Sequence, residues 1–566
     1  MNILSLTIKG FRNFKSSLIH FNNNTLIIGA NDVGKSNMLH ALRLLLDKGL
    51  SELEIEPSEL DFHLSSDKPC DIIEITIHFN NITEDSVLSV LKGYVNDEGD
   101  TYLRYSATKS DLNYEIYIGH SLDELEIVNS RFYLKYVNLR YIHSQRDLHK
   151  FIRKEKRQLL NLAQQNLTAE ETEEDADLMN EISTDLVNIN EKVSQLIYVE
   201  KSTSDVNCEL KKLAHHYSDY SVQLDSGAIQ VNQFIEKLQL GANTNGSSVM
   251  LGGDGRNNQI LLALWKAKSV REQYLSDEVV FYVVEEPEAH LHPHQQRKLA
   301  EYLNSELPGQ SIISSHSPQI ASKFSPDSII RLFNHSGATE AAGNGCSDCI
   351  ALDWESMGYR MSILPSEAFF SSGVFLVEGP SEMLFYTELA DSLGIELDFL
   401  NISLLSVDGI SFGVYTKILD ALEIPWVMRT DNDISKISKK DQWQYAGFNR
   451  CLKIASLETL NHKDVEFCPE LTIGNGEWEM VSSLINPSGI FVSRKDLEND
   501  LSEELPEVLK EFAGKKTNKA AIDYLQKKKA IRMRNFLKGN KESLATLSKG
   551  ELAKPLHHLK KVIVGY

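Results

Sequence analysis

The sequence predicts an α/β protein with a mostly parallel sheet, divided into roughly two to four domains. Three observations carry that reading. Apolar strand patterns alternate with helical ones along most of the chain, acidic residues recur where apolar strands end, and 566 residues exceed what one hydrophobic core organises. A hydrophobic content of 42% with 24% charged residues is ordinary for a globular chain in water. No apolar run reaches the ~18 residues of a membrane span. The opening "MNILSLTIKGFRNF" has neither the apolar core nor the cleavage site of a signal peptide, so a cytoplasmic protein is expected.

The first element, "NILSLTIKGFRNF", alternates apolar and polar residues and turns at Gly10, as a strand does. "NNTLIIGAN" is a buried strand entering a glycine turn, and "KSNMLHALRLLLDKG" is a helix with Gly49 as its stop signal. Between them, Gly29, Gly34, Lys35 and Ser36 satisfy GxxxxGK[ST]. Glycines there let backbone N–H groups turn onto phosphates, the lysine neutralises phosphate oxygens, and the serine offers its hydroxyl to Mg²⁺. Asn31 in the loop and Asn37 just after it are taken with them as nucleotide-contacting residues. "CDIIEITIHF" is a further strand.

From about residue 150 to 235 the pattern becomes helical. Leu178, Ile182, Leu186, Ile189, Val193 and Leu196 recur every three or four residues on one face. A helical insert that pairs with another copy is the expectation, with plain core packing as the alternative. Next, "SSVMLGGDGRNNQILLALWKAKS" is a glycine turn before a helix. "EVVFYVVEEPEAHLHPHQQRKLAEYL" is a buried strand ending in Glu285 and Glu286, then a helix. "QSIISSHSPQI" is a strand ending at His316. In a nucleotide enzyme of this order, Glu285 orients Mg²⁺, Glu286 polarises the attacking water, and His316 senses the γ-phosphate. The turn holding Gly252, Gly253 and Gly255 would present N–H groups to ATP bound by a second subunit. Taken singly, each has a plain alternative: a helix cap, a core histidine, a turn.

In this order the motifs resemble the ABC-type ATPases of the SMC, Rad50 and RecF group, including the opening "IKGFRNF". The nearer likeness is to the OLD (overcoming lysogenisation defect) family, whose Walker B region is similar to "EEPEAHLHP". The chain departs from SMC and Rad50 proteins in having Glu285 where they use Asp. "LDFHLSS" offers no Q-loop glutamine, so turnover of ATP is expected to be slow.

A second α/β unit starts near 366. "GVFLVEGPSEMLFYTELADSLGI" and "LNISLLSVDGISFGVYTKILDALEI" each run strand, turn, helix, and "PWVMRTDNDISK" is a third strand. Glu378 stands at the first strand's end, Glu382 on the first turn of the helix opened by Pro380, and Asp431 and Asp433 at the third strand's end. Carboxylates gathered at the ends of parallel strands make a hard-oxygen site for Mg²⁺ or Mn²⁺. The plain alternatives are acids at a helix N-terminus and a turn. An EF-hand does not fit, because Lys436 stands where its glycine belongs.

These acids resemble a Toprim domain, EGxxE followed by DxD. That likeness implies phosphodiester chemistry with two metals, a later acid and a lysine. "KDLENDL" supplies Asp500, with Glu498 and Asp496 as alternatives, and "YLQKKKAIRMR" supplies Lys527, with Lys529 as the alternative. Over nearly its full length, "GDGRNN", "EEPE", "SSHSP", "VEGPSE", "RTDND", "GFNRCL" and "KDLENDL" follow the order found in the nuclease subunits of Gabija anti-phage systems. The resemblance implies an endonuclease on double-stranded DNA, restrained by bound nucleotide. It also implies a homo-oligomer, a dimer through the ATPase half and a tetramer overall, and a UvrD-like helicase partner, GajB.

The expected architecture is therefore an ABC-type P-loop ATPase with a helical dimerisation insert, followed by a Toprim α/β domain with a helical, basic C-terminal part. The boundaries are 1–150, 151–235, 236–350 and 366–566. The net charge of −22 excludes a surface basic throughout, yet residues 510–561 hold 15 Lys and Arg against 4 Asp and Glu, near +11, where phosphate contacts can sit. Cys346 and Cys349 form a CxxC without a second pair nearby, so no zinc site is expected. The competing function is a RecF-like repair clamp without nuclease activity. A topoisomerase or primase would need modules that this chain lacks.

Overall fold

The structure is a computed structural model. It describes residues 1–65, 68–142, 148–213, 241–244, 247–250, 260, 263–264, 267, 278–289, 291–307, 309–346, 363–407, 409, 412–437, 442–461, 463–464 and 474–565. The chain forms two compact units: Met1–His143, Glu278–Glu288 and His292–Tyr566 in one, Ser144–Asp277 with Ala289–Leu291 in the other.

The first unit begins with strands β1 (Asn2–Phe11), β2 (Phe14–His20) and β3 (Asn24–Ile28), then a helix, Lys35–Leu46. Four more strands follow: β4 (Ile72–Asn80), β5 (Thr101–Thr108), β6 (Asn113–Gly119) and β7 (Glu126–Val128). They build an antiparallel sheet in the order β2-β1-β4-β5-β6-β7, where the alternating α/β pattern predicted a parallel one. The reason is two-residue periodicity. Ile73, Ile75, Ile77 and Phe79 point inward and share a core with Leu39 and Leu42 of the helix, so one face is buried and the other wet.

A second sheet contains β3 with β8 (Val137–Ile142), β9 (Val279–Glu285), β10 (Ser311–Ser314), β11 (Ile329–His335) and β12 (Ala338–Ala341), in the order β8-β9-β10-β3-β11-β12. All neighbours are parallel except β11 and β12. Glu285 pairs with Ser314, and Ser314 with Ile27, so β9, β10 and β3 end side by side. Loops leaving adjacent C-terminal strand ends form the natural ligand crevice of such a sheet.

The third sheet is fully parallel: β13 (Gly373–Val377), β14 (Ile402–Ser406), β15 (Trp426–Thr430) and β16 (Ile490–Val492), ordered β14-β13-β15-β16. Its core includes Phe375, Val377, Phe385, Leu389, Val427 and Leu501. One side chain links it to the second sheet. Arg331, paired with Ile28 in register, donates to the carbonyls of Leu422 and Glu423, each at 3.0 Å, just before β15. The Glu423 carboxylate in turn accepts the N–H of Gly343 at 2.9 Å. Burial lowers the Arg331 pKa to about 10.

In the second unit, helices Leu148–Gln165, Ala169–Ser194 and Ile197–Leu213 are described. Thr168 caps the middle helix, and Glu171 reaches back to it in a reciprocal capping box. Leu178, Ile182, Ile189 and Leu196 of the predicted stripe are exposed. No described helix is long and apolar enough to cross a membrane. Cys346 is a half-buried cysteine whose Sγ lies 3.8 Å from Thr25 Oγ1, and Cys349 lies outside the described residues.

Candidate nucleotide and metal sites

The loop between β3 and the first helix needs its glycines. Gly29 has φ +154 and Gly34 φ +110; a Cβ on Gly29 would stand 2.6 Å from the Leu332 carbonyl, and one on Gly34 2.1 Å from the Asn13 amide. Lys35 folds back to donate to the carbonyls of Gly29 (3.0 Å) and Ala30 (2.8 Å). Burial lowers its pKa to about 8 against the pull of Glu286 and Glu288. Phosphate oxygens are better partners for that ammonium than neutral carbonyls.

The acids of "EEPE" divide their work. Glu285, at the end of β9, accepts hydrogen bonds from Ser36 Oγ and, at 2.6 Å, from the Tyr141 hydroxyl. A carboxylate beside the P-loop serine sits where an Mg²⁺-organising acid belongs. Glu286 adopts φ +46, a left-handed conformation that is costly for a non-glycine residue and that clusters at functional sites. Its carboxylate lies 3.4 Å from His316 Nε2. Burial and then Lys35 lower the His316 pKa, against the pull of Glu286. Glu288 holds the same loop, accepting from Ser315 Oγ (2.8 Å) and the His316 N–H (2.6 Å). Burial raises its pKa.

One predicted contact changes here. Asn31 stands exposed in the loop, but Asn37 is engaged elsewhere: it donates to Asn13 Oδ1 at 2.8 Å and accepts from Arg12 at 2.9 Å. Its amide ties the β1–β2 turn to the helix start instead of facing phosphate. Gly252, Gly253 and Gly255 lie outside the described residues.

The second cluster forms where β13 and β15 end. Glu378 Oε1 accepts from Thr430 Oγ1 (2.5 Å), the Asp431 N–H (2.8 Å) and Arg450 (3.0 Å). The other arm of the Arg450 guanidinium pairs with Asp433. Glu382 is buried on the first turn of helix Pro380–Ser392, and burial raises its pKa. Asp431 is pushed up to about 9, first by burial, then by Glu378 and Glu382. Lys529 Nζ stands 3.9 Å from Asp431 and 3.5 Å from Glu498. Acids and lysine border a cavity of about 720 Å³ whose walls include Asp431, Asp433, Asp496 and Lys529.

The late residues rearrange relative to the sequence expectation. Asp500 is 2% exposed and paired with buried Arg429; it also accepts the Arg494 N–H at 3.2 Å. Glu498 instead turns to the cluster. Two residues apart on helix Leu497–Glu504 means roughly 200° apart around its axis, so the pair cannot share a face. Asp496 caps that helix and also lines the cavity. Lys527 is exposed and in no ion pair with a described residue, whereas Lys529 meets the acids.

As placed, no three His, Cys, Asp or Glu groups among the described residues stand close enough to hold one ion. Lys529 bridges Asp431 and Glu498, and Arg450 bridges Glu378 and Asp433. The chemistry nonetheless fits a hard divalent cation. Neither oxygen of fully buried Glu498 has a hydrogen-bond partner, and burial first, then repulsion from Glu378 and Glu382, raises Asp431, which a bound cation would offset.

The AAA ATPase domain family matches residues 1–321, more than half of the chain. The chain belongs to that family. This AAA ATPase continues into a second match, over residues 369–433, to the overcoming lysogenization defect protein-like TOPRIM domain. Endonuclease GajA of Bacillus cereus (strain VD045) is 27% identical over 565 residues, covering 94% of each protein. Of solved structures, the Smc head bound to the C-terminal winged-helix domain of ScpA is 20% identical, with 60% of this chain and 97% of that one covered and a TM-score of 0.38. The C-terminal region of the Burkholderia pseudomallei OLD protein is also 20% identical, with 34% and 99% covered and a TM-score of 0.26.

Three residues of this AAA ATPase escaped the sequence reading of roles. Tyr141 lies on β8, whose "VNLRYI" alternation was its only signal. Glu288 and Arg450 sit inside the motifs "EEPE" and "GFNRCL", but only three dimensions show what they hold.

Proposed function

We propose that the chain is a DNA endonuclease dependent on divalent metal, restrained by nucleotide in its ATPase half and acting in anti-phage defence. The observation that carries this is the crowding of Glu378, Glu382 and Asp431 at the C-terminal ends of a parallel sheet, with Asp431 pushed up to about 9. The full-length similarity to a protein named Endonuclease GajA supports it.

Glu378, Glu382, Asp431 and Asp433 would hold two Mg²⁺ or Mn²⁺ ions, with Glu498 and Asp496 in place of Asp500. Bound there, the ions supply Lewis acidity and a nucleophilic water at neutral pH. Lys529, in place of Lys527, places a positive charge where the phosphate under attack gains negative charge. Arg450 fixes Glu378 and Asp433 relative to one another. Arg429 and Asp500 hold the end of β15 from behind.

In the other half, the N–H groups of residues 29–36 and Lys35 cradle ATP, with Ser36 and Glu285 on its Mg²⁺. Glu286 polarises water, and Glu288 positions His316. Gly252, Gly253 and Gly255 act on the nucleotide of a second copy, so a homo-oligomer is implied, and the exposed apolar stripe of the helical unit suits it. Double-stranded DNA is the substrate and a UvrD-like helicase the partner. The test is cleavage of supercoiled plasmid with Mg²⁺ or Mn²⁺, titrated with ATP and a non-hydrolysable analogue. Equal inhibition by both is expected. No nicked or linear product under any condition would overturn the reading.

A further inference from the structure

The short strand Ile490–Val492 separates two surfaces of opposite character. Just beyond its C-terminal end, Arg494, Lys495 and Asp496 enter the wall of the acidic cavity. Beside its N-terminal end lies a trough of about 550 Å³ that no acidic residue lines. Lys549, Lys554, Lys561, His557 and His558 face it. On a chain of net charge −22, three lysines around one concavity without an acid in its lining are a local reversal of sign, while burial and then Lys561 lower the pKa of His558.

These groups are held at fixed places. Helix Lys554–Val564 carries four of them, packing Leu556 and Leu559 into the core. The His558 ring sits edge-on to Phe491, 5.8 Å between centroids, and His557 is fixed by the Ser548 carbonyl at 2.9 Å. Lys554 pairs with the half-buried Glu551, but Lys549 and Lys561 pair with no described acid. Asn486 adds a polar side chain at the rim.

We propose that this trough is a second DNA contact, gripping backbone phosphates of the duplex away from the cleavage centre. The charge selects an anion. The open form and the two lysines without a described acidic partner suit the phosphates of a polyanion's backbone. Three strand residues span roughly 10 Å, about three base pairs at the rise of a DNA strand. A duplex lying along this edge, with one phosphate at the acids, brings its neighbours over the trough. The proposal rests on DNA being the substrate, and its test keeps the two claims apart.

The test is binding of a short duplex by the full chain in metal-free buffer, where nothing is cut, as a function of salt. Wild type is compared with the pair Lys549→Gln and Lys561→Gln combined. Loss of two phosphate contacts should lower the slope of log K against log salt by about 1.8 and weaken binding on the order of 10- to 100-fold near 0.1 M salt. Unchanged melting temperature and ATP binding would certify the fold. Wild type that binds no duplex sinks the nuclease reading; equal slopes for wild type and variant sink the trough. A variant that keeps the duplex slope but loses inorganic pyrophosphate binding would make this a small-phosphate site and overturn the proposal as well.

Discussion

The two acid-bearing pockets of the first unit treat their carboxylates in opposite ways. In the nucleotide pocket each acid has a neutral or nearby partner: Glu285 has Ser36 and Tyr141, Glu286 has His316, Glu288 has Ser315 and a backbone N–H. In the carboxylate pocket the acids crowd one another, and burial and repulsion drive Asp431 up to about 9. The first pocket is prepared for an anion by lysine and backbone. The second holds excess negative charge that only cations relieve, and it meanwhile leans on Lys529 and Arg450. Satisfied acids set geometry, whereas frustrated acids create affinity.

The contrast breaks most clearly at Asp431. Asp431→Ala should lower plasmid cleavage on the order of 10³-fold or more, several kcal/mol of lost charge stabilisation, while ATP binding measured by fluorescence stays at wild-type level. Cleavage at the wild-type rate would remove the site. Next in size, Lys529→Met should cost roughly 10²- to 10³-fold in rate, and Lys527→Met less than about twofold. The reverse ranking would restore the residue that sequence alone favoured.

Asp500→Ala tests the other side of the comparison. It strands Arg429 as a buried unpaired charge, so stability to urea should fall by about 3–5 kcal/mol. Calorimetric metal affinity at a temperature where the variant stays folded should be little changed. If metal binding vanished with the fold intact, Asp500 would belong among the ligands after all.

A smaller effect is in pH. The raised pKa of Asp431 means that its contribution to stability is fully present below the unfolded value of 3.8 and is lost as pH climbs toward about 9. Metal-free Asp431→Asn protein should therefore melt higher than wild type at pH 8 and at about the same temperature as wild type at pH 3.5. Added Mg²⁺ should raise the wild-type melting temperature more at pH 8 than at pH 5. Smallest of all, Lys35→Ala should weaken ATP about tenfold, the worth of one charge-assisted contact, and relax inhibition of cleavage to match.

Much of this was legible in the sequence because it is local. A glycine loop between strand and helix, or acids placed directly after apolar strands, needs only neighbours in the chain. Two kinds of information were not. The antiparallel first sheet depends on which strands meet across β4 and β5, a long-range choice that strand periodicity leaves open. That Glu498 and not Asp500 faces Lys529 turns on the phase of one helix against the sheet, set by Leu497 and Leu501 entering the core. Arg450 was invisible as the bridge between Glu378 and Asp433 because a guanidinium that spans two acids leaves no spacing signature.

The grip of Arg331 on residues 422 and 423 bears on how freely such halves can be exchanged. A chimaera joined in the connecting stretch after β12 would keep the peptide path but leave that guanidinium reaching for carbonyls of a foreign turn. Recombination that respects this molecule has to carry β11, β12 and the turn ahead of β15 as one cassette. Expression yield of the two kinds of hybrid, with and without that cassette, would show whether evolution could have shuffled these parts independently.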